Sequence, residues 1–324
     1  MNRFASALAA FAAGLALILP LAALSQAQTW PQRSVRLILP LGPGAGVDIA
    51  ARLLAEKLTT RWGQPVVVEN RPGGDGIVAI NAFVSARDDH VLLFSPTSSF
   101  TAHPYQHDKL PYDPADLSPV ARVAVTLLGF AVPATAKTAT VADFIGEVKA
   151  QPGKLNYTTA TGMTDVIYDG YFKKEGLAIT RVPYRDVVAP LTDLGEGRIQ
   201  AYIGALAIEQ PHLQSGRAKL IAVTNSQRAP NYPDVPTVAQ AGFPDLTFDG
   251  LTGLFGPRDM PNALRERIAS DIKIVMGDPT IGMRLTATGQ VVMPGGPGEF
   301  AAAIEGQRNV LAAIAKMLGI KPAQ

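Results

Sequence analysis

The stretch from residue 35 to residue 52, VRLILPLGPGAGVDIAAR, decides how the rest of the chain is interpreted. The apolar run Val35 to Leu39 is typical of a buried strand, and Pro40 ends its pairing because proline has no amide proton. From Asp48 onward the apolar residues recur with helical spacing. The glycine-rich turn between strand and helix therefore gathers unpaired amide groups at a helix N-terminus, where negative charge is favoured.

This turn predicts a cradle for an anion or carboxylate without identifying the ligand. Its glycines, Gly42, Gly44 and Gly46, do not follow the dinucleotide-binding spacing, and no Gly-Lys-Ser/Thr continues them as in a P-loop. An ordinary strand-to-helix turn is the alternative. Asp48 can act as a base or cap the helix, and capping is the commoner role at a helix start.

Strand–turn–helix units recur along the chain and predict an α/β fold with parallel strands. A second strand over Gln64–Glu69 leads into a glycine-rich turn, and a third, Val91–Phe94, runs into the hydroxyl-rich segment Ser95–Ser99. Later, a strand over Lys154–Tyr157 ends in the hydroxyl- and glycine-rich segment Thr158–Asp165. We interpret these hydroxyl groups as hydrogen-bond donors to a ligand, with helix capping as the alternative.

Residues 1–27 are interpreted as a cleavable secretory signal peptide. Arg3 is followed by the almost wholly apolar segment Ala5–Leu24 and then by Ser25-Gln26-Ala27, a small-x-small cleavage site. A membrane anchor is the alternative, because the apolar segment is long enough to span a bilayer. The chain contains no cysteine, so we expect neither a disulfide nor a lipid-modified cysteine.

Charge and composition argue against several classes of function. The formal net charge is +2, of which Arg3 in the leader supplies one, and this balance argues against nucleic-acid binding. Neither a Gly-x-Ser-x-Gly nucleophile elbow nor a His-Glu-x-x-His metal motif is present. His103 and His107 have i, i+4 spacing, but Pro104 lies between them, and we interpret them as exposed loop histidines. No metal or cofactor is predicted.

Several motifs resemble the periplasmic solute-binding receptors of the tripartite tricarboxylate transporter system, the Bug family. The similarity covers the whole chain after the leader, in the blocks Trp30-Pro31, Pro43–Arg52, Val68–Gly74, Val182–Arg185, Pro190–Leu194, Tyr232–Pro244 and Gly319–Pro322. The resemblance implies two α/β lobes of the type II periplasmic-binding-protein architecture, a Venus flytrap with the ligand cleft between the lobes. Residues 28–130 and 249–324 are assigned to lobe 1 and residues 131–248 to lobe 2, with crossings near Ala131 and Asp249.

The resemblance also implies a set of ligand-binding residues and no catalytic or metal-binding residue. The set comprises Pro43, Gly44, Ala45, Gly46, Asp48, Thr97, Ser98, Thr159, Thr161, Gly162, Met163, Thr164, Tyr184 and Ala205. The chain departs from the family pattern at Ala45, Thr164-Asp165, Arg185-Asp186 and Gln200. These departures lie around the distal half of the expected cleft, where the far end of the ligand would bind.

The expected function is that of an extracytoplasmic receptor for a small carboxylate, either a dicarboxylate or an aromatic acid. The receptor would deliver this ligand to the large and small membrane subunits of a tripartite tricarboxylate transporter. We expect a periplasmic monomer that is not an enzyme and binds no cofactor or nucleic acid. The alternatives are an exported enzyme acting on a small carboxylic acid, with Asp48 or Asp165 as its base, and a ligand sensor for a membrane kinase.

Overall fold

The computed structural model describes residues 30–159, 162–184 and 189–322. The predicted signal peptide, Thr161 and the Arg185-Asp186 pair lie outside the described residues. In the short segment before Arg33, the peptide bond between Trp30 and Pro31 is cis. Residues 33–324 are grouped in one unit, which contains two mixed β-sheets with their helices. The α/β class predicted from the sequence is therefore confirmed.

The elements of this unit alternate between strand and helix for most of its length. The strands are β1 (Val35–Leu39), β2 (Val66–Asn70), β3 (Val91–Pro96), β4 (Ser118–Thr126), β5 (Leu128–Pro133), β6 (Asn156–Thr159), β7 (Thr180–Arg181), β8 (Ala201–Ala205), β9 (Ala218–Val223), β10 (Gly250–Gly256) and β11 (Gln290–Gly295). The helices are α1 (Gly46–Trp62), α2 (Ile77–Ala86), α3 (Ser98–Thr101), α4 (His103–Gln106), α5 (Val141–Ala150), α6 (Gly162–Lys174), α7 (Ala189–Gly195), α8 (Leu206–Gln214), α9 (Asn262–Met276), α10 (Pro279–Ala287) and α11 (Pro297–Leu318).

The first sheet has the strand order β11-β4-β10-β3-β1-β2. β1 pairs in parallel with both β2 and β3, whereas β10 and β11 join in antiparallel orientation. Leu37, Ile38 and Leu39 of β1 are buried, which agrees with a continuous apolar strand covered on both faces. The carboxyl ends of β1, β2 and β3 consequently lie at the same edge of the sheet.

The second sheet has the strand order β7-β6-β8-β5-β9. β6 pairs in parallel with β7 and β8, and β5 pairs in antiparallel orientation with β8 and β9. Its core contains Phe130, Tyr157, Tyr168 and Phe172, whose rings meet edge to face. Such contacts stabilise a core beyond the burial of apolar area alone.

The chain passes from the first sheet to the second at Leu127, between the end of β4 and the start of β5. We predicted this passage near Ala131, which instead lies within β5 and pairs with Tyr202. An almost unbroken apolar run covers the end of β4, the passage and β5, so hydropathy alone does not mark the change of sheet. The chain returns to the first sheet at Gly250, directly after Asp249.

The long helix α11 packs against the cores of both sheets. Phe300 and Ile304 belong to the core of the first sheet, and Leu311 belongs to the core of the second. Gly170 of α6 lies so close to the side chain of Ile314 that an added Cβ would clash with it. Across the described residues, no helix combines the length and the apolar character needed to cross a membrane.

Candidate ligand-binding site

A cavity of about 690 Å³ is lined by residues from both sheets. Its lining consists of Pro40, Leu41, Gly42, Pro72, Gly73, Gly74, Asp75, Gly76, Ser98, Ser99, His103 and Gln106 on the first side and Thr158, Thr159, Asp165, Arg181, Pro183 and Tyr184 on the second. Most of these residues follow the carboxyl ends of parallel strands, where open α/β sheets bind ligands. The volume lies within the range of small-molecule sites.

The first wall presents hydroxyl groups and backbone, together with Asp75, His103 and Gln106. Ser98 and Ser99 begin α3, and the turn Gly73–Gly76 follows β2. Gly76 has φ +99°, and a Cβ at this position would lie 3.1 Å from Cβ of Pro40 and 3.3 Å from Cβ of Ser99. Only glycine therefore lets the turn lie against the serines without strain. The described residues of this wall include no lysine or arginine.

His103 supports this turn from behind. Its side chain is buried, its Nε2 lies 3.1 Å from the carbonyl oxygen of Asp75, and its Nδ1 lies 2.6 Å from the hydroxyl oxygen of Tyr112. Because a carbonyl can only accept, we assign the proton to Nε2 and a donated hydrogen bond from Tyr112 to Nδ1. Burial lowers the pKa of His103, which favours this neutral form. Our prediction of an exposed His103 is therefore wrong, and neither of its nitrogens is available to a metal.

One set of possible metal ligands comes together among the described residues, namely Asp88, Asp89 and His90. Oδ1 of Asp88 lies 2.7 Å from Nη2 of Arg33 and accepts the His90 amide at 2.9 Å. Nδ1 of His90 lies 2.6 Å from Oδ1 of Asp89. The set lies outside the cavity lining, so it does not form part of the site.

The second wall is centred on Arg181 in β7. Its Nη1 lies 3.1 Å from Oδ2 of Asp165, and its Nε donates to Oδ2 of Asp169 at 3.0 Å. The hydroxyl groups of Thr159 and Tyr157 donate to the remaining oxygens of Asp165 and Asp169, respectively. The two acidic residues lie one turn apart on α6, so both reach the same guanidinium.

The electrostatics of this wall follow from the two carboxyl groups around one cation. Burial opposes the charge of Arg181, but Asp165 and Asp169 raise its pKa overall. Burial also raises the pKa of Asp165, while the hydrogen bond from Thr159 and the charge of Arg181 act in the opposite direction. The group of Arg181, Asp165 and Asp169 therefore carries no net positive charge.

Tyr184 lines the cavity, but its hydroxyl group is engaged elsewhere. It donates to Oδ2 of Asp193 at 2.5 Å, and Arg198 forms an ion pair with the same carboxylate. Burial and the hydrogen bond to Asp193 raise the pKa of Tyr184 to about 12. The proton of Tyr184 is thus committed to Asp193.

Asp48 stabilises the turn after β1 and does not line the cavity. Its carboxylate is buried and accepts from the Gly44 amide at 2.9 Å, from Nδ2 of Asn70 at 2.8 Å and from Nε of Arg52 at 3.0 Å. Burial acts to raise the pKa of Asp48, but the bonds from Arg52, Gly44 and Asn70 lower it overall. A carboxylate held by three donors fits the structural role better than the role of a base.

Among the predicted ligand-binding residues, Ser98, Thr159 and Tyr184 line the cavity. Thr97 is fully buried and donates to Oε1 of Gln307 at 2.7 Å, and Met163 is buried with its sulfur 3.4 Å from the hydroxyl oxygen of Thr101. Other residues of the predicted set also lie outside the lining: Pro43, Gly44 and Ala45 in the turn before α1, Gly46 and Asp48 in α1, Thr164 in α6, and Ala205 at the end of β8.

The prediction missed the turn Gly73–Gly76, His103 and Arg181, whereas Ser99 belongs to the segment Ser95–Ser99 that was interpreted as a source of donors. The motif that contains the turn, Asn70-Arg71-Pro72-Gly73-Gly74, was visible as a glycine-rich segment after a strand, the same signal as the turn after β1. Two acidic residues four positions apart on a predicted helix, Asp165 and Asp169, were also visible. Their arginine comes from the two-residue strand β7, and no local pattern in the sequence pairs it with these acidic residues.

Comparison with known proteins gives matches along most of the chain. The profile of the family described as "Tripartite tricarboxylate transporter family receptor" matches residues 50–320. The chain is similar to a UPF0065 protein of Bordetella bronchiseptica, at 31% identity over 95% of this chain and 91% of that protein. Two similar solved structures are titled as a periplasmic transporter (28% identity) and as R. palustris Rpa4515 with adipate (27% identity). Each has a TM-score of 0.75 and covers 90% of this chain and 99% of the other.

Proposed function

Because this chain belongs to the tripartite tricarboxylate transporter receptor family, we propose that it captures a small carboxylate and delivers it to the membrane subunits of such a transporter. The cavity of about 690 Å³ carries the proposal, since its first wall offers Ser98, Ser99 and the turn Gly73–Gly76. Several neutral donors together bind a carboxylate through charge-assisted hydrogen bonds. They also leave the ligand free to dissociate, as delivery requires.

A receptor of this kind opens and closes, and the two passages between the sheets supply the hinge. Asn225 is buried between them: its Oδ1 accepts the Leu128 amide at 2.8 Å, and its Nδ2 donates to the Thr126 carbonyl oxygen at 2.9 Å. The same Nδ2 lies 3.3 Å from Oδ1 of Asp249. A few residues at the ends of strands can absorb the backbone rotation of such a closure.

The proposed setting is the periplasm, after removal of the predicted signal peptide. Family membership and the likeness to a periplasmic transporter support this setting. The partners are the large and small membrane subunits of the transporter, and the receptor acts as a monomer. Binding is favoured over turnover because Asp48 and Asp165, the two candidate bases, each already accept hydrogen bonds or ion pairs within the chain.

A thermal-shift screen of the exported protein tests the proposal. The panel contains dicarboxylates of increasing length, citrate, and benzene mono- and dicarboxylates, because the proposed ligand is a dicarboxylate or an aromatic acid. A ligand present at about 100 times its Kd adds about 2.7 kcal/mol of stability, which gives a clear rise in Tm. The likeness to a protein solved with adipate makes that acid the first to try.

A pair of variants decides whether such a shift comes from this cavity. Ser98→Ala/Ser99→Ala removes both hydroxyl groups of the first wall and should abolish most of the shift. Ser215→Ala, which changes an exposed serine after α8, is the control and should leave the shift unchanged. Absence of a shift with every acid, or a shift that survives in the double variant, would contradict the proposal.

A further inference from the structure

We propose that the far end of the ligand, which meets the second wall, is an uncharged primary amide and not a second carboxylate. The inference rests on the proposed carboxylate site, and in place of a dicarboxylate it gives the ligand as a monocarboxylate that carries an amide. The residues that select this group are Asp165 and Arg181, which line the cavity side by side.

Asp165 supplies the hydrogen-bond acceptor. Its side chain is 28% exposed and lines the cavity. Oδ1 accepts the hydroxyl group of Thr159, and Oδ2 faces Nη1 of Arg181. A carboxylate has about four lone-pair sites, so Asp165 retains acceptor capacity for an N–H group of a ligand.

Arg181 supplies the hydrogen-bond donor. Its Nε donates to Asp169 and its Nη1 faces Asp165, and a guanidinium with five N–H groups retains donor capacity beyond these contacts. A primary amide carries an NH₂ group and a carbonyl oxygen. One amide can therefore donate to Asp165 and accept from Arg181 at the same time.

Charge disfavours the alternative end groups. A second ligand carboxylate would meet a guanidinium that Asp165 and Asp169 already neutralise, and it would lie near the charge of Asp165 itself. Like charges within hydrogen-bonding range raise the cost of ionisation, and burial already raises the pKa of this carboxyl group. A ligand ammonium group would lie against Arg181. The uncharged amide avoids both repulsions.

Isothermal titration calorimetry of the exported protein with matched ligands tests the inference. The series comprises succinate and succinamate, glutarate and glutaramate, adipate and adipamate, terephthalate and terephthalamate, and the ω-amino acid of each aliphatic length. At the length that fits best, the monoamide should bind at least about tenfold more tightly than both its dicarboxylate and its amino-acid counterpart.

Two variants assign the preference to Asp165. Asp165→Asn removes the charge that repels a second carboxylate, so the preference for the monoamide should fall to about threefold or less. Glu175→Gln is the control, because Glu175 is exposed directly after α6 and does not line the cavity. This control should keep at least about a tenfold preference for the monoamide.

Equal or tighter binding of the dicarboxylate or amino acid by the unmodified protein would overturn the inference. An unchanged preference in Asp165→Asn would overturn it as well. Both results leave the proposed carboxylate receptor intact, since a carboxylate is still bound. If no compound of the series binds, the proposed function and this inference fail together.

Discussion

Replacing Glu209 of α8 by glutamine tests the electrostatics of the second sheet. The Glu209 side chain is fully buried, and neither carboxyl oxygen has a hydrogen-bond partner among the described residues. The hydroxyl groups of Tyr168 and Tyr202, which are buried nearby, also lack a partner there. A Cβ added to Gly129 of β5 would clash with Oε2 of Glu209, so the strand backbone packs directly on the carboxyl group.

The size and sign of the effect of Glu209→Gln on the pH dependence of stability follow from this burial. Burial raises the pKa of Glu209 well above its usual value of 4.5, and the backbone at Gly204 opposes this only in part. The folded state therefore holds the proton more tightly than the unfolded state does. The stabilisation from Glu209 is complete below its unfolded pKa and is lost as pH rises through the folded pKa, with a slope of at most about 1.4 kcal/mol per pH unit.

Urea unfolding between about pH 5 and pH 8 measures this slope. The stability of the unmodified protein should fall relative to that of Glu209→Gln as pH rises, because glutamine has no proton to lose. The raised pKa of Asp165 contributes with the same sign in both proteins and cancels in the difference. Glu56→Gln, which changes an exposed residue of α1, is the control and should keep the slope of the unmodified protein. Parallel curves for the unmodified protein and Glu209→Gln would refute the reasoning.

Three further variants test the turn after β1, the contact between α6 and α11, and the role of the Tyr184 hydroxyl group. Asp48→Ala leaves three donors unpaired, so urea unfolding should show a free energy of unfolding that is about 2 to 3 kcal/mol lower. A negligible loss of stability would contradict the role of Asp48 in holding the turn after β1. Gly170→Ala should lower the free energy of unfolding by about 1 to 3 kcal/mol because the added methyl group clashes with Ile314. Adding Ile314→Ala should restore part of this stability, and absence of such a rescue would argue against the contact. Tyr184→Phe should change the ligand affinity measured by calorimetry by no more than about threefold, because the hydroxyl group donates to Asp193. A loss of affinity of about tenfold would show instead that the hydroxyl group reaches the ligand.

The elements built from local patterns were predictable from the sequence. The strand Val35–Leu39 was predicted with the bounds that β1 has, and the strand from Val91 was predicted with its start. Both are short apolar runs that end at a proline or a hydroxyl-rich turn, so a local signal marks each boundary. The passage at Leu127 has no such signal, because the residues on both sides are equally apolar and only the sheet they join differs.

The candidate site was predictable at the level of turns but not of individual side chains. Thr97, Ser98 and Ser99 are adjacent hydroxyl residues, yet Thr97 points away from the cavity to Gln307, which lies 210 residues later in the chain. Local sequence cannot specify a partner at that separation. The same reason hid Arg181, since its role arises only when β7 pairs with β6 and brings it to Asp165 of α6.

A crystal structure of the protein with the acid that gives the largest thermal shift tests the central claim most directly. The account predicts one ligand in the cavity, with a carboxylate within hydrogen-bond distance of Ser98 or Ser99 and its far end facing Thr159 and Arg181. A ligand bound elsewhere, or one that contacts residues of a single sheet, would contradict it.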